Sequence, residues 1–332
     1  MIKNSRILIT GACGSIGSSL LDFLLRSGNT ICAFDQSEDG LFSLDQTYNP
    51  KYSKKLKLFM GNIRDKERLT RAIENVDIVF HCAAQKHVFL SEYNPFEVVQ
   101  TNVIGINNII SCALEQNVGK VVFTSSDKAV NPSSTMGVSK LFGEKLITAA
   151  NNHAGNSNTI FSSVRFGNVL NTNGSVLKIF KKQLKENSTI TITSENMSRY
   201  FITMDDAIKL CIYCSENMIG GEIFISKMES FKIIDLAKAL SEKNNFKMRI
   251  IGLKPGEKLY EELITEEETS RTILIDNHYV LMPSTINMMP DKVEAGYLKY
   301  EGVEKINYAM NSEQNNIDEK KIYDLLKSNN LL

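Results

Sequence analysis

The stretch ITGACGSIGSSL, Ile9–Leu20, decides the fold of this 332-residue chain. It continues the apolar run Arg6–Thr10, which predicts a buried strand, and it opens a pattern that predicts a helix. Glycines at such a strand-to-helix turn let the backbone approach a pyrophosphate, and the helix N-terminus offers NH groups and a partial positive charge. An ordinary turn is the alternative, but this context favours a dinucleotide site. Its predicted members are Gly11, Gly14, Ser15, Ile16 and Gly17.

Short β-rich runs alternate with helical patterns through the first half of the chain. The strand candidates are Arg6–Thr10, Thr30–Asp35, Leu56–Met60, Val76–Cys82, Lys120–Ser126 and Thr159–Phe166. Apolar residues fill both faces of several runs, as in strands buried within a parallel sheet. The pattern predicts an α/β fold, a doubly wound parallel Rossmann sheet with a smaller C-terminal substrate-binding lobe. We expect the Rossmann domain at residues 1–170 with a returning segment near 200–226, the lobe at 171–199 and 227–310, and a tail at 311–332.

Composition excludes several classes of function. Lysine plus arginine equals aspartate plus glutamate at 38 each, so no global basic field points to nucleic acid or to an anionic membrane. No apolar run at the N-terminus is long enough for a signal peptide or a membrane span, which predicts a cytoplasmic protein. Cys211 and Cys214 form a CxxC inside a predicted helix, with no second cysteine pair nearby. Reduced core thiols are favoured over a metal or redox site, and no metal is expected.

The GxxGxxG spacing resembles that of the extended short-chain dehydrogenase/reductase superfamily, in which the end of the second strand selects the cofactor. Here that end reads FDQSED, and Asp35 can accept hydrogen bonds from ribose hydroxyls while repelling a 2′-phosphate. NAD is therefore favoured over NADP. The resemblance implies further cofactor contacts at Gln36, Ser37, Asn62 and Ile63, at Ala83, Ala84 and Lys86 of HCAAQKH, and at Asn102 of TNVIG, the last as a structural partner of the active-site backbone.

The segment SSDKAVNPSSTMGVSK, Ser125–Lys140, resembles half of that superfamily's active site, with one departure. Met136 stands four residues before Lys140, where a tyrosine is usual, and a thioether cannot move a proton. Residues four apart share one face of a helix. Lys140 is expected to hold the nicotinamide ribose, a surface lysine being the alternative.

A longer match makes the resemblance specific. TSSDKAVNPSSTMGVSKLFGEKL resembles the signature of UDP-N-acetylglucosamine 4,6-dehydratases of the polysaccharide-biosynthesis and flagellin-glycosylation type, and the segments AAQKHVFLSEYNP, VRFGNVLNTNGSVLKIFKKQL, ENMSRYFIT and LKPGEKLYEEL match in the same order. Several members of that family also carry methionine in place of the tyrosine. The resemblance implies NAD as cofactor, UDP-N-acetylglucosamine as substrate, and a homo-oligomer, dimer or hexamer.

That chemistry assigns roles to the reactive segment. After oxidation at C4 of the hexose, a base removes the C5 proton and an acid protonates the departing C6 hydroxyl. We expect Asp127 to be the acid and Lys128 the base, with the pKa of Lys128 lowered by burial and by Lys140. A salt bridge within a turn is the alternative. Ser126, a water that it holds, or Asp127 could take the C4 hydroxyl proton.

Other motifs predict contacts with the nucleotide sugar. Lys86 and His87 should lie near the sugar, a structural role being as plausible for His87. Asn168 should meet the diphosphate, and Arg199 should grip a phosphate in bidentate fashion. Ser175 and Val176 belong to the same predicted surface, and Glu257 suits the uridine ribose hydroxyls.

Two other functions compete with this interpretation. An NAD-dependent UDP-sugar 4-epimerase shares the fold but normally keeps the tyrosine and needs no acid–base pair for C5 and C6. A non-catalytic nucleotide-binding regulator would not need both signatures. Among dehydratases, FDQSE and RFGNVL resemble members that retain the C5 configuration, whereas ENMSRYFITMDDA resembles members that invert it. We lean toward retention.

Overall fold

The computed structural model describes residues 2–155, 157–172, 174–187, 189–240, 246–284, 290–299 and 301–332. The strands are β1 (Arg6–Thr10), β2 (Thr30–Asp35), β3 (Leu56–Met60), β4 (Ile78–His81), β5 (Lys120–Thr124), β6 (Ile160–Arg165), β7 (Asn168–Val169), β8 (Thr189–Ile192), β9 (Ser198–Ile202), β10 (Ile223–Ser226), β11 (Glu229–Lys232), β12 (Lys247–Ile250), β13 (Glu262–Ile264), β14 (Thr272–Ile275), β15 (His278–Leu281), β16 (Glu304–Lys305) and β17 (Met310–Asn311).

The helices are α1 (Ser15–Arg26), α2 (Glu38–Tyr52), α3 (Lys66–Ile73), α4 (Val88–Tyr93), α5 (Pro95–Val98), α6 (Gly105–Glu115), α7 (Thr135–Ala150), α8 (Val176–Asn187), α9 (Met204–Asn217), α10 (Ile233–Leu240), α11 (Glu266–Thr269), α12 (Pro290–Tyr297) and α13 (Glu319–Ser328). A π-helical segment spans Val99–Ile104, and a 3-10 turn spans Asp127–Ala129.

The largest sheet has the strand order β16-β14-β15-β10-β6-β5-β4-β1-β2-β3. Neighbouring strands from β3 to β10 run parallel, whereas β15, β14 and β16 add antiparallel strands at the far edge. Ile9 of β1 pairs with Ala33 on one side and with Phe80 on the other. The chain therefore reverses its winding direction between β1 and β4, where doubly wound sheets bind ligands. The predicted fold class is confirmed.

Helices cover both faces of this sheet because its strands are apolar on both sides. Ile7 and Ile9 of β1 point into one core with Leu21 of α1. Leu8, between them, points into the other core with Ile109 of α6. Alternate side chains of a strand face opposite sides, so one short run serves two cores.

The chain after β6 forms a second group of elements with small sheets of its own. Strand β8 pairs with β12, and β9 lies between β7 and β11. Ile322 and Leu326 of the terminal helix α13 are buried against Leu236 of α10, so part of the predicted polar tail belongs to this core. Strands β14, β15 and β16, within the range predicted for the lobe, instead extend the large sheet.

The helical run that begins at Pro95 is interrupted. The π-helical segment Val99–Ile104 separates α5 from α6. Asn102 lies within it, and its amide donates to Gln85 O at 3.0 Å and to Ser139 Oγ at 2.9 Å. A widened turn of this kind is common at functional sites, and here it directs a buried amide at the wall of a cleft.

Helix α9 carries the CxxC. Cys211 and Cys214 are fully buried, and burial raises the pKa of both thiols. Among the described residues, no group of histidine, cysteine, aspartate and glutamate is arranged to hold a metal ion. No described helix is both long and apolar enough to cross a membrane.

Candidate active site

A cleft of about 730 Å³ opens where β1, β2 and β4 end. It contains most of the predicted cofactor residues in its walls, namely Gly11, Gly14, Ser15, Ile16, Gly17, Asp35, Gln36, Ser37, Asn62, Ile63, Ala83, Ala84, Lys86 and Lys140. It also reaches the predicted reactive and sugar-binding residues Ser126, Lys128, Met136, His87, Asn168, Ser175 and Val176. The topology thus brings together residues that are far apart in the chain.

The glycine turn leaves room for a ligand only because side chains are missing. Gly11 has φ +67°, and a Cβ atom there would lie 2.7 Å from Ala83 N. A Cβ at Gly17 would collide with Gly11 O, so α1 begins tight against the preceding turn. Gly14, at the N-cap of α1, has no side chain to satisfy the first NH groups. These features fit a pyrophosphate at the helix N-terminus.

Asp35 is held rigidly at the end of β2. Its Oδ2 accepts from Cys13 N at 2.9 Å, and its Oδ1 accepts from Ser37 N at 3.0 Å. Burial raises the pKa of the Cys13 thiol to about 12, and the charge of Asp35 adds to the effect. Next to it, Asn62 Nδ2 donates to Gln36 Oε1 at 3.0 Å. The carboxylate therefore lies in the cleft wall in a fixed orientation, as ribose recognition requires.

Asn102 does not belong to the cleft wall formed by the described residues. Its Oδ1 accepts from Gln85 N at 2.7 Å, and its Nδ2 donates to Gln85 O at 3.0 Å. Gln85 itself lines the cleft. The side chain of Asn102 thus holds the backbone of the wall from behind, in the structural position that the resemblance implied.

Met136 and Lys140 lie one turn apart at the start of α7, and both line the cleft. The Nζ of Lys140 donates to Thr124 O at 2.8 Å and lies 4.8 Å from the ring centroid of Phe123. Burial lowers the pKa of Lys140 to about 8, although Cys82 and Glu144 oppose that shift. Met136 is only 4% exposed and offers an apolar surface where a proton-transferring group is usual.

Asp127 and Lys128 form a direct ion pair on the 3-10 turn. Lys128 Nζ donates to Asp127 Oδ1 at 2.9 Å, and Ser126 Oγ donates to the same oxygen at 2.7 Å. Asp127 is fully buried and is not among the described residues that line the cleft, whereas Ser126 and Lys128 are. The carboxylate of Asp127 thus lies behind its two neighbours, and its predicted role as the acid toward the C6 hydroxyl stays a prediction.

The expected lowering of the pKa of Lys128 is wrong. Burial alone would lower this pKa, but the carboxylates of Asp127 and Glu261 outweigh burial and raise it. Lys140, whose influence was expected, is not among the groups that shift it. Within the reactive segment Ser125–Lys140, the lysine whose pKa is lowered is Lys140 itself. Lys128 therefore rests as an ammonium group and must lose a proton before it can act as a base.

A second cavity, of about 280 Å³, lies between the reactive turn and the predicted lobe. Lys128, Asn168, Gly174 and Val176 line both cavities. Asn168 Oδ1 accepts from Lys128 Nζ at 3.1 Å, so the amide NH₂ of Asn168 remains available to a phosphate oxygen. Lys128 and Asn168 stand at the junction of the two spaces.

Arg199 lines the second cavity but does not present the predicted bidentate fork. Its Nη1 donates to Ser198 O at 2.7 Å and to Leu259 O at 3.1 Å, and its Nη2 donates to Lys258 O at 2.7 Å. Its Nε lies 3.8 Å from Glu261 Oε1. Since a guanidinium has five NH donors, one NH of Nη2 remains for a phosphate.

The remaining predicted sugar contacts fall on the cavity walls. Glu257 lines the second cavity, and its Oε2 accepts from Lys254 N at 3.0 Å. Burial, aided by the charge of Lys178, lowers the pKa of Lys86. His87 is exposed and lies against Gly174, where a Cβ would be 3.0 Å from His87 Cε1. Ser175 Oγ is buried and has no hydrogen-bond partner among the described residues.

Glu261 is a site residue that the sequence analysis missed. Its side chain is 4% exposed, lines the second cavity and lies 3.7 Å from Lys128 Nζ. The segment PGEKLYEEL contains three glutamates, and only the fold shows that Glu261 points inward. The signal in the sequence that could have indicated Glu261 is the pair of glutamates that closely follows Glu257, a residue already assigned to the substrate.

The fold and the cleft define an extended short-chain dehydrogenase/reductase with a dinucleotide site joined to a second ligand cavity. The family model described as "Polysaccharide biosynthesis protein" matches residues 7–283, and the chain belongs to this family.

Individual proteins are similar to this chain over most of its length. An uncharacterized membrane protein of Methanocaldococcus jannaschii is 42% identical over 92% of this chain and 95% of its own. The UDP-N-acetylglucosamine 4,6-dehydratase (inverting) of Campylobacter jejuni is 41% identical over 86% of this chain and 84% of its own. The solved structure of Pen from Bacillus thuringiensis has a TM-score of 0.91 and 39% identity, covering 99% of both chains.

The chain is also similar to proteins named as epimerases. The UDP-glucose 4-epimerase of Rickettsia felis is 35% identical over 92% of this chain and 89% of its own. DesIV of Streptomyces venezuelae, a dTDP-glucose 4,6-dehydratase solved with NAD bound, has a TM-score of 0.68 at 21% identity over 76% of this chain and 86% of its own, which shows a shared fold.

Proposed function

We propose that this protein is an NAD-dependent 4,6-dehydratase that converts UDP-N-acetylglucosamine to a UDP-4-keto-6-deoxy-N-acetylhexosamine. The observation that carries the proposal is the Asp127–Lys128 pair, with 2.9 Å between Nζ and Oδ1, at the junction of the cofactor cleft and the second cavity. An acid and a base side by side are what elimination across C5 and C6 requires. The Campylobacter relative of the same family supports the substrate.

The cleft residues have binding roles. When bound, NAD would supply the acceptor for the hydride from C4 of the hexose and, once reduced, the donor of hydride to C6. The turn at Gly11, Gly14 and Gly17 receives the pyrophosphate, and Asp35 accepts from the adenosine ribose. Lys140 meets the nicotinamide ribose, for which its position in the cleft beside Thr124 is suited. Met136 excludes water from the reacting face.

Ser126 and Asp127 together carry one proton. Ser126 Oγ lines the cleft and already donates to Asp127 Oδ1 at 2.7 Å. The C4 hydroxyl passes its proton to Ser126, which passes its own to Asp127. Asp127, now a carboxylic acid, returns that proton through Ser126 to the departing C6 hydroxyl, which leaves as water. This relay supplies the proton acceptor that Met136 cannot be.

Lys128 acts at C5. Its Nζ is the accessible member of the pair, with its side chain 21% exposed at the junction of the two cavities. As a neutral amine it removes the C5 proton, which the C4 carbonyl makes acidic. The proton returns to C5 when hydride arrives at C6. Asn168, hydrogen-bonded to Lys128, orients the amine and meets the diphosphate.

The second candidate is a UDP-sugar 4-epimerase, which the Rickettsia relative favours. Incubation with UDP-N-acetylglucosamine and NAD, followed by proton NMR of the product, separates the two. A dehydratase yields a C6 methyl signal, and an epimerase yields a hexose that keeps its C6 hydroxyl. An epimerised hexose as the product would overturn the proposal.

The stereochemical outcome depends on the source of the proton that returns to C5. Return from Lys128 keeps the configuration, and delivery from the opposite face inverts it. The Campylobacter relative carries the word inverting in its name, in tension with our lean toward retention. Retention stays a prediction. The product has a carbonyl at C4, so H5 has no H4 neighbour whose coupling constant could report the configuration at C5. The nuclear Overhauser contacts of H5 with the other ring protons are the measurement to make.

Three further parts of the proposal follow from the family resemblance. We place the enzyme in the cytoplasm as a homo-oligomer, a dimer or hexamer. We divide it into a Rossmann part, 1–170 with a return near 200–226 and with strands β14, β15 and β16 added to its sheet. The nucleotide-sugar part is 171–199 and the rest of 227–310, and helix α13 is attached to it through Ile322 and Leu326. Light scattering of the purified protein tests the assembly.

A further inference from the structure

We propose that Glu261 is the proton-holding partner of Lys128, taking the ammonium proton so that a neutral amine faces the sugar while Asp127 stays ionised. The inference rests on the proposed dehydratase function and adds a residue to it. Glu261 acts through Lys128 and is therefore a positioning residue for its protonation state.

The geometry places Glu261 next to the amine. Its Oε1 lies 3.7 Å from Lys128 Nζ, and the side chain is 4% exposed. Its Oε2 is buried and has no hydrogen-bond partner among the described residues. A buried carboxylate oxygen without a donor is unfavourable, and protonation of the carboxyl group relieves that cost.

The proton inventory of the reaction is closed within the protein if such a group is present. Lys128 rests as an ammonium between Asp127 and Glu261. If its proton moved to Asp127, that carboxylate could no longer accept the proton from the C4 hydroxyl through Ser126. If it moves to Glu261, an N–H bond breaks on Lys128, an O–H bond forms on Glu261, and Asp127 remains free to accept. The reverse transfer restores the resting state after product leaves, so no proton is gained or lost.

The main chain holds Glu261 in place from outside the site. Glu261 N donates to Ser312 Oγ at 2.9 Å, and Ser312 N donates to Glu261 O at 2.8 Å. Ser312 is fully buried and its hydroxyl also lies 3.0 Å from Ser198 Oγ. The main chain of Glu261 is thus fixed, and proton transfer requires the 3.7 Å between its Oε1 and Lys128 Nζ to shorten by a small side-chain movement.

The electrostatic surroundings of Glu261 act in both directions, with a net rise of its pKa. Burial raises its pKa, and the charge of Asp127 adds to that effect, while Lys128, Arg199 and Lys258 oppose it. The guanidinium of Arg199 is engaged with main-chain carbonyls, and Lys258 Nζ donates to Val130 O at 2.9 Å. These three charged groups and Tyr200, whose pKa is raised by burial and by the charges of its neighbours, are unchanged in the variants below.

The test compares Glu261→Gln with Glu262→Gln as the matched control. Glu262 is the adjacent carboxylate and accepts from Asn131 Nδ2 at 2.8 Å, which an amide can still do. Formation of the 4-keto-6-deoxy product is measured by NMR from neutral to alkaline pH. At neutral pH, kcat of Glu261→Gln should fall about 10²-fold with KM unchanged, because Lys128 must now release its proton to solvent. Loss of the Glu261 charge also removes one cause of the raised pKa of Lys128, which limits the fall.

The pH profile distinguishes this role from a structural one. The kcat of Glu261→Gln should recover about tenfold per pH unit as pH rises, whereas Glu262→Gln should follow the wild type. Titration of Lys140, whose pKa is about 8, affects both variants alike and cancels in their ratio. Glu261→Asp keeps a carboxylate, so it should retain intermediate activity with a profile parallel to the wild type, and it decides the matter if Glu261→Gln does not fold.

Wild-type kcat in Glu261→Gln, or a loss that alkaline pH does not restore, would overturn the role of Glu261. If the wild type itself forms no methyl-bearing product, the dehydratase function fails, and the role of Glu261 falls with it. The first result leaves the dehydratase function standing, so the two failures are distinguishable.

Discussion

Lys128 and Asp127 are adjacent in the chain and form an ion pair of 2.9 Å, yet one side chain is 21% exposed and the other is fully buried. The 3-10 turn causes this difference. Asp127 N donates to Phe166 O at 3.1 Å, and Ser126 Oγ accepts from Lys128 N at 3.3 Å, so the two side chains leave the turn in fixed directions. The pair therefore has one member that lines both cavities and one that is enclosed behind it.

Removal of either member should stop turnover and spare binding. Asp127→Asn and Lys128→Ala should each lower kcat by about 10²–10⁴, the usual effect of losing a positioned acid or base. Binding of UDP, measured by calorimetry, should persist because Asn168 and Glu257 remain on the cavity walls. Asp205→Asn, on the exposed start of α9, is the control and should behave as wild type. Undiminished turnover in either variant would refute the assignment.

Met136 should matter far less than Lys140. If Met136 only forms an apolar wall, Met136→Ala should fold and keep part of its activity, with a thermal stability lowered by the lost packing of a buried side chain. Lys140→Ala should lose far more activity because the nicotinamide ribose loses its partner. Equal and complete loss in both folded variants would mean that Met136 does more than exclude water.

The buried amine of Lys140 should lower the stability of the protein near neutral pH. Its pKa falls from 10.5 to about 8 on folding, chiefly through burial, so the unfolded chain holds this proton more tightly. Below pH 8 the cost is complete and corresponds to about 3 kcal/mol, and it shrinks as pH rises from 8 toward 10.5. Lys140→Met should therefore unfold at a higher temperature than wild type at neutral pH. Thermal unfolding across this range should show the difference narrowing, and a difference that widens with pH would contradict the argument.

Asp35 should govern the choice of cofactor. The carboxylate is fixed by two main-chain NH groups, so a 2′-phosphate would meet an unscreened negative charge. Tight NAD binding and much weaker NADP binding are expected by calorimetry, and Asp35→Ala should narrow the ratio of the two affinities. Asp39→Ala removes a nearby carboxylate from the first turn of α2 and should leave the ratio unchanged. Release of mainly NADP on denaturation of the wild type would show that Asp35 does not select NAD over NADP.

The parallel half of the fold was predictable because its signals are local. The bounds of β1, β2 and β3 match the predicted runs residue for residue, since each is an apolar run that ends at a polar turn. Strands β14 and β15 were not predicted. They pair with one another in a hairpin, and β15 joins the sheet beside β10. Their own sequence does not indicate which strand of the sheet they pair with.

The residues of the site that belong to sequence motifs were predictable. The charge interactions between residues far apart in the chain were not. The predicted cofactor residues line one cleft because the topology gathers the ends of the strands. The protonation of Lys128 could not be predicted, because Glu261 lies 133 positions further along the chain and only the fold brings it near. The engaged guanidinium of Arg199 likewise depends on carbonyls supplied by a distant loop.

The most direct test of the dehydratase assignment follows hydrogen from C4 of the substrate. UDP-N-acetylglucosamine deuterated at C4 is incubated with the enzyme and NAD, and the product is analysed by NMR. The account predicts that deuterium moves to C6, so that the product carries a CH₂D group and a C4 carbonyl. In heavy water with unlabelled substrate, deuterium should enter at C5, provided that Lys128 exchanges its proton with solvent. Deuterium that returns to C4 of a hexose with an intact C6 hydroxyl would show an epimerase and contradict the account.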